Sequence, residues 1–229
     1  MAKIVRTHDN FYAKELIKEP KTSFVLVGNL IESLDLKRGG GVADIGCAVG
    51  AFPNYLKGRF KYINVTGFEY SKELVGKAIS LFPGIKFIPA DITNSDDWVP
   101  YLNSFDIVTV LGVLSIFDDI DDSLQNIKKI LKKDGKVFIH GMFNPYPLDV
   151  FIKYREAGSE NMDLESGWNI ISQKTVVNKL HDIGFHSIKF HPFKLDINLP
   201  RQEDPVRSWT EMLIDGERQI VNGLCIKQP

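Results

Sequence analysis

The run Val42-Ala43-Asp44-Ile45-Gly46-Cys47-Ala48-Val49-Gly50 places an acid and two glycines directly after a short apolar stretch. Gly46 and Gly50 let the backbone turn tightly and let a ligand come close to it. Free amides at the start of a following helix can hold a carboxylate. Two further acids come at ordered positions: Glu69 lies 25 residues after Asp44, and Asp91 lies 22 residues after Glu69. An acid closing a second strand can accept hydrogen bonds from both ribose hydroxyls, and an acid after a third can accept from an adenine amino group. Together these positions describe a nucleoside slot across three successive strand ends, where doubly wound sheets bind their ligands.

These residues need strands and helices to carry them. Residues 1–20 read as a helical lead-in ending at Pro20, and residues 22–35 carry apolar side chains at helical spacing until Gly39-Gly40-Gly41. Val42–Ile45, Tyr62–Tyr70, Ile85–Pro89, Phe105–Val113 and 136–143 read as five strands. Helices are predicted from Ala51 to Gly58, after Ser71 as a cap, from Asp121 or Ser123 to Lys133, and from Ser172 to Gly184. Nearly continuous apolar strands alternating with helices predict a parallel sheet covered on both faces. Two closing strands are expected near 186–197 and 220–227, able to pair antiparallel as a hairpin on the sheet edge. The irregular stretches 144–170 and 198–219 are the expected acceptor-site insertions, because long loops in compact domains tend to be functional.

Composition narrows the choice of partner. A formal net charge of −1 with scattered basic residues gives no reason to expect a nucleic acid. The two cysteines, Cys47 and Cys225, form no CxxC pair, and no His/Cys spacing suggests zinc, so no metal site is expected. A reducing cytoplasm is the expected location. The N-terminus lacks a signal-peptide core, and no apolar run approaches the ~18 residues a membrane span needs. Oligomeric state is not fixed by the sequence.

Over residues 35–227 the chain resembles the class I S-adenosylmethionine-dependent methyltransferases. The resemblance rests on DIGCAVG at 44–50, FEYS at 68–71, ADI at 90–92, FDIVTVLGVLS at 105–115 and LKKDGKVFI at 131–139, in this order. It implies one α/β methyltransferase domain spanning 1–229, with 1–35 as the lead-in. The implied fold is a doubly wound, Rossmann-like seven-stranded sheet of order 3-2-1-4-5-7-6 with strand 7 antiparallel. The implied cofactor is S-adenosyl-L-methionine. Asp44, Gly46 and Gly50 would bound its methionine part, with Cys47 and Ala48 inside the same turn. Glu69 beside Tyr70 would hold the ribose, Asp91 with Ile92 would contact adenine, and Leu111 and Gly112 would line the slot after the fourth strand. The family's glycine-rich turn usually carries a third glycine where Ala48 stands.

The resemblance implies methyl transfer to a small-molecule acceptor. An oxygen nucleophile on a sugar or secondary metabolite is favoured by the likeness of DGERQIVNGL at 215–224 to members acting on such substrates. The methyl of a sulfonium is already activated, so the protein's work is alignment and exclusion of water. A hydroxyl acceptor would gain from a general base, and His140, at the carboxyl end of the fifth strand, is the candidate. A histidine satisfied by a backbone partner is the other reading. Ser115, Tyr146, Arg155 and Trp168 are candidate acceptor contacts, each open to a purely local role. The acids Asp118, Asp119, Asp121 and Asp122 read as helix-start residues, and NPYP at 144–147 reads as a rigid turn. Two other functions fit the fold. One is an NAD-dependent oxidoreductase, which the absence of GxGxxG in the first turn disfavours. The other is a non-catalytic binding subunit, which the intact acids disfavour.

Overall fold

Strands form where apolar residues run together, and helices form where apolar residues recur at helical spacing. The computed structural model describes residues 19–34, 36–155, 157–158 and 162–192, and the backbone of 211–214 and 217–220. The chain runs α1 (Thr22–Glu32), β1 (Gly41–Ile45), α2 (Ala51–Arg59), β2 (Asn64–Glu69), α3 (Lys72–Leu81) and β3 (Lys86–Pro89). A 3-10 helix (Ser95–Tyr101), β4 (Phe105–Leu111), a second 3-10 turn (Leu114–Ile116), α4 (Asp121–Ile130) and β5 (Leu131–His140) follow. Residues 1–18 of the expected lead-in lie outside the described residues.

The five strands form one parallel sheet of order 3-2-1-4-5. Alternation along each strand sends side chains to opposite faces. Val42 and Ile107 face α1 and α2, where Phe24, Phe52, Leu56 and Phe60 complete a buried cluster. Ala43, Ile45, Phe68, Val108 and Val110 face the other way, toward Trp98 and the apolar side of α4. The sheet is therefore covered on both faces, as its apolar strands require. Helix starts follow their caps. Ser71 Oγ accepts from the Leu74 amide at 3.3 Å, and α4 opens on Asp121-Asp122 and closes on Lys128-Lys129, in keeping with the helix dipole.

The fifth strand departs from the sequence reading. α4 ends at Ile130, and Leu131 is already paired with Phe105. The Ser104 amide takes the Ile130 carbonyl at 2.9 Å, which stops the helix there. The ladder then shifts register before Ile107 meets Lys136, so 132–135 is an irregularity inside β5 rather than a turn before it.

From Phe143 to Ser172 the ladders are two residues long. β6 (Phe143–Asn144) pairs parallel with β9 (Ile171–Ser172), and β7 (Lys153–Tyr154) pairs antiparallel with β8 (Glu165–Ser166). α5 (Gln173–Asp182) begins at Ser172, whose Oγ accepts from the Thr175 amide at 3.0 Å. The expected strand near 186–197 is not present over its described part, since 185–192 has no ladder. Pro192 removes a donor from that run and breaks a strand pattern that the alternation alone suggested. The chain divides into two compact units, Met1–Ile188 and Lys189–Pro229. In the second, β10 (Glu211–Ile214) pairs antiparallel with β11 (Glu217–Ile220). This hairpin lies almost wholly within the expected 198–219 insertion and is a different pairing from the expected one of 186–197 with 220–227; residues 221–227 of the expected last strand lie outside the described residues. Five strands of the expected seven-stranded order are in place.

Candidate functional site

The turn after β1 is built by backbone geometry. Gly46 and Gly50 adopt φ of 72° and 84°, the left-handed region open to glycine. At Gly46 a Cβ would stand 2.2 Å from Val113 Cγ2, so this glycine is required twice over, by dihedral and by space. The amides of Gly46 and Cys47 both donate to the Phe68 carbonyl, at 2.8 and 3.0 Å. Ala48 takes φ of 48° despite its Cβ. It occupies the same left-handed conformation a glycine would, at a cost of ~1–2 kcal/mol for an L-residue. Gly46 and Ala48 are partly exposed, whereas Cys47 and Val49 are buried. The Cys47 thiol packs with Val75, Ala78 and Phe87, and burial pushes its pKa up. Only the backbone of Cys47 remains for a ligand.

Glu69 ties that turn to the end of β2. Its Oε2 accepts from the Ala48 amide at 3.0 Å and its Oε1 from the Ser71 amide at 2.9 Å. One carboxylate thus spans two loops at neighbouring strand ends. Tyr70, the next residue, is 54% exposed.

The third acid is held by its surroundings. Pro89 is the register partner of Glu69, and Asp91 stands two residues further on. The Asp91 amide donates to Asp97 Oδ2 at 2.8 Å, and its carbonyl accepts from Trp98 Nε1 at 2.8 Å. Its Oδ1 accepts from both the amide and the hydroxyl of Thr93. Asn126, on α4, donates from Nδ2 to the Ile92 carbonyl at 2.9 Å, and the Ile92 side chain is buried. Sequence reasoning missed Trp98 and Asn126; the available signal for Asn126 was a polar residue on the helix face that Ile127 and Ile130 bury.

Asp44 is 2% exposed, and its Oδ1 lies 2.7 Å from Thr109 Oγ1, on the register-paired position of β4. Burial, opposed by the Thr109 hydrogen bond and reinforced by the Glu69 charge, leaves its pKa pushed up to about 7. Among the described residues nothing donates to its Oδ2. Thr109 also escaped sequence reasoning, although a threonine inside the apolar FDIVTVLGV run was its signal.

Leu111 ends β4 and Gly112 follows it, the Gly112 amide donating to the His140 carbonyl at 2.9 Å. His140 is the register partner of Leu111 and partly buried. Burial, then the positive charge of Lys21, hold its imidazole below the ordinary value. Ser115 is buried, its Oγ donating to the Gly112 carbonyl at 3.2 Å and its own carbonyl accepting from the Asn169 amide at 2.6 Å.

Asn169, another residue the sequence did not single out, is fully buried and joins the 144–170 segment to the loop after β4. Its Nδ2 reaches the Phe117 carbonyl at 3.0 Å and Asp118 Oδ1 at 3.1 Å, while its Oδ1 accepts from the Ile152 amide at 2.9 Å. Lys153 adds a 2.6 Å ion pair to Asp118 and a hydrogen bond to Ser166. Asp119 and Asp121 both pair with Lys179, and Asp119 accepts from the Asp121 amide. Trp168 precedes Asn169 and is partly buried, whereas Arg155 is exposed. Tyr146 belongs to a turn that Asn144 closes, accepting from the Tyr146 amide and donating to the Leu148 carbonyl.

A 3-2-1-4-5 parallel sheet with a glycine turn, a two-handed glutamate and an anchored aspartate at adjoining strand ends is the architecture of an α/β domain of the methyltransferase type. The family described as "Methyltransferase domain" matches residues 21–188. The chain belongs to that family of methyltransferase domains, of the class I S-adenosylmethionine-dependent type. It is 27% identical over 172 residues to "Phosphoethanolamine N-methyltransferase 1" of Triticum aestivum, an alignment covering 72% of this chain and 32% of that one. The chain therefore spans about a third of that relative's length. In fold it is similar to a TehB-like SAM-dependent methyltransferase from Corynebacterium glutamicum, with TM-score 0.51, 20% identity, and 77% and 83% of the two chains covered. It is also similar to Haemonchus contortus phosphoethanolamine N-methyltransferase 2, solved in complex with S-adenosyl-L-methionine, with TM-score 0.51, 17% identity, and 71% and 36% covered. Among the described residues no helix is long and apolar enough to cross a membrane.

Proposed function

We propose that the chain methylates a small-molecule acceptor, with the cofactor lying across the ends of β1, β2 and β3. The observation that carries this reading is Glu69, whose two oxygens accept from amides of two adjacent loops, which holds the carboxylate in one orientation between them. The residues fit the group: the Gly46 turn is partly exposed at the end of β1, and Asp44 Oδ2 receives no hydrogen bond among the described residues. Asp44 with the turn 46–50 would hold the ammonium and carboxylate of the methionine part. Glu69 would take the ribose hydroxyls, Asp91 Oδ2 the adenine amino group, and Leu111 and Gly112 the ring's remaining edge. When bound, the sulfonium supplies a methyl already activated for in-line displacement.

His140 would accept the acceptor's proton. A neutral imidazole is the basic form, and a pKa below the ordinary 6.5 keeps that form populated at neutral pH. Ser115 and Trp168, tied to the loop after β4 through Asn169, would border the acceptor, with Tyr146 and Arg155 further out on the same segment. The acceptor atom is an oxygen on the sequence resemblance. A nitrogen acceptor is the second reading, supported by the phosphoethanolamine N-methyltransferase relative.

Titration with S-adenosylmethionine, S-adenosylhomocysteine and NAD, followed by transfer of labelled methyl to matched hydroxyl and amine acceptors, tests this reading. Binding of the two adenosyl ligands without NAD, with label passing to small acceptors, is expected. NAD binding alone, or cofactor binding with no transfer to any acceptor, would contradict it.

A further inference from the structure

Asp44 sits between two register partners of very different character. On the β2 side it faces Gly67 and on the β4 side Thr109. Gly67 can bring no side-chain donor, and any side chain there would force its neighbours aside: a Cβ would lie 2.6 Å from Phe87 and 2.8 Å from Cys47 Sγ. Helices α1 and α2 close the same sheet face with apolar side chains, among them Phe52 and Leu56. Thr109 is fully buried, and its hydroxyl lies between two acceptors, 2.7 Å from Asp44 Oδ1 and 3.2 Å from the Ala43 carbonyl. A hydroxyl carries one proton, so it serves one acceptor at a time.

We propose that Thr109 is a positioning residue for the cofactor's ammonium group, acting through Asp44, and that cofactor binding releases a proton from this pair. The proposal rests on the placement of Asp44 in the cofactor site given above. The pair has a hydrogen-bonded arrangement for each charge state. When Asp44 is protonated, its carboxyl proton donates to Thr109 Oγ1, and the Thr109 proton turns to the Ala43 carbonyl. When Asp44 is ionised, its proton has left to solvent and the Thr109 hydroxyl swings back to donate to Oδ1. That donation fixes one carboxylate oxygen and leaves Oδ2 for an incoming cation. The charged groups felt here are Glu69, whose charge opposes ionisation, and Asp44 itself acting on the buried Cys47 thiol. A carboxyl with its pKa pushed up to about 7 is largely protonated just below neutrality, so an arriving ammonium must drive the proton off.

Calorimetry of S-adenosylmethionine binding to the whole chain, at pH 6.5 in two buffers of different ionisation heat, reads this directly. The ligand's α-amine ordinarily titrates near about pH 8, so it is mostly charged both before and after binding. The wild type should release about half a proton or more per ligand bound. Thr109→Val loses the donor that favours the ionised carboxyl. It should release closer to a full proton and bind about five- to tenfold more weakly, a gap that narrows toward pH 8.5. Thr109→Ser should restore both values, and unchanged circular dichroism would exclude a folding defect. Wild-type binding with no buffer-dependent heat overturns the proposal, as does a Thr109→Ser variant as weak as Thr109→Val. Failure of the wild type to bind at all would instead remove the cofactor reading on which the proposal stands.

Discussion

The strand ends of β1, β2 and β3 and the segment after β5 are held together by different means. In the first region the polar groups are placed by sheet register. Asp44 stands opposite Thr109, Glu69 stands opposite Pro89, and the connecting amides close onto Phe68 and Glu69. In the second, two-residue ladders carry little order of their own, and side chains do the joining: Asn169, Asn144, Asp149 and Lys153. The second region also exposes large apolar side chains within a short span, with Leu148 at 62%, Phe151 at 51%, Met162 at 67% and Leu164 at 54%. A site whose ligand is fixed can be built on a rigid sheet edge. A site whose ligand varies from member to member is better built on a stitched segment that can change without disturbing the sheet.

The comparison can be broken from either side. Gly46→Ala would force a left-handed φ on a residue whose Cβ meets Val113 at 2.2 Å. It is expected to cost about 2–4 kcal/mol of stability and to abolish measurable cofactor binding. Thermal unfolding with and without S-adenosylmethionine checks this. Asn169→Leu would strand the part-buried Ile152 amide and Phe117 carbonyl. It is expected to cost about 1–3 kcal/mol, with turnover lost and cofactor affinity retained, a split that titration and methyl-transfer assays separate. If cofactor affinity fell equally, the two regions would be one unit rather than two. Ala48→Gly sharpens the picture with the smallest change. It relieves the left-handed strain, so unfolding should shift upward by up to about 1 kcal/mol with cofactor affinity within about twofold of wild type.

The same contrast decided what could be read in the sequence. β1 to β4 announced themselves because buried parallel strands must be apolar, and the turn at 46–50 and the acids at 69 and 91 fell where those strands end. The boundary of β5 did not, because Leu131 is apolar in either a helix or a strand, and its assignment depends on Phe105 across the ladder. The short ladders of 143–172 were invisible because two-residue pairings leave no periodicity; their order comes from the local turn that Asn144 closes and from buried Asn169, whose partners lie far off in sequence. Thr109 was legible as an oddity in an apolar run, but its partner Asp44 lies 65 residues away and only register joins them. The alternation near 186–197 misled because Pro192 interrupts it.

The central claim is that Glu69 bridges the glycine turn and the end of β2 so as to receive the cofactor. Glu69→Gln keeps the shape but replaces one acceptor oxygen with a donor facing an amide, so calorimetric titration of this variant with S-adenosylmethionine tests the claim most directly. The account predicts an affinity about 100-fold weaker, with the fold intact by circular dichroism. A folded variant that binds S-adenosylmethionine as tightly as the wild type would contradict it.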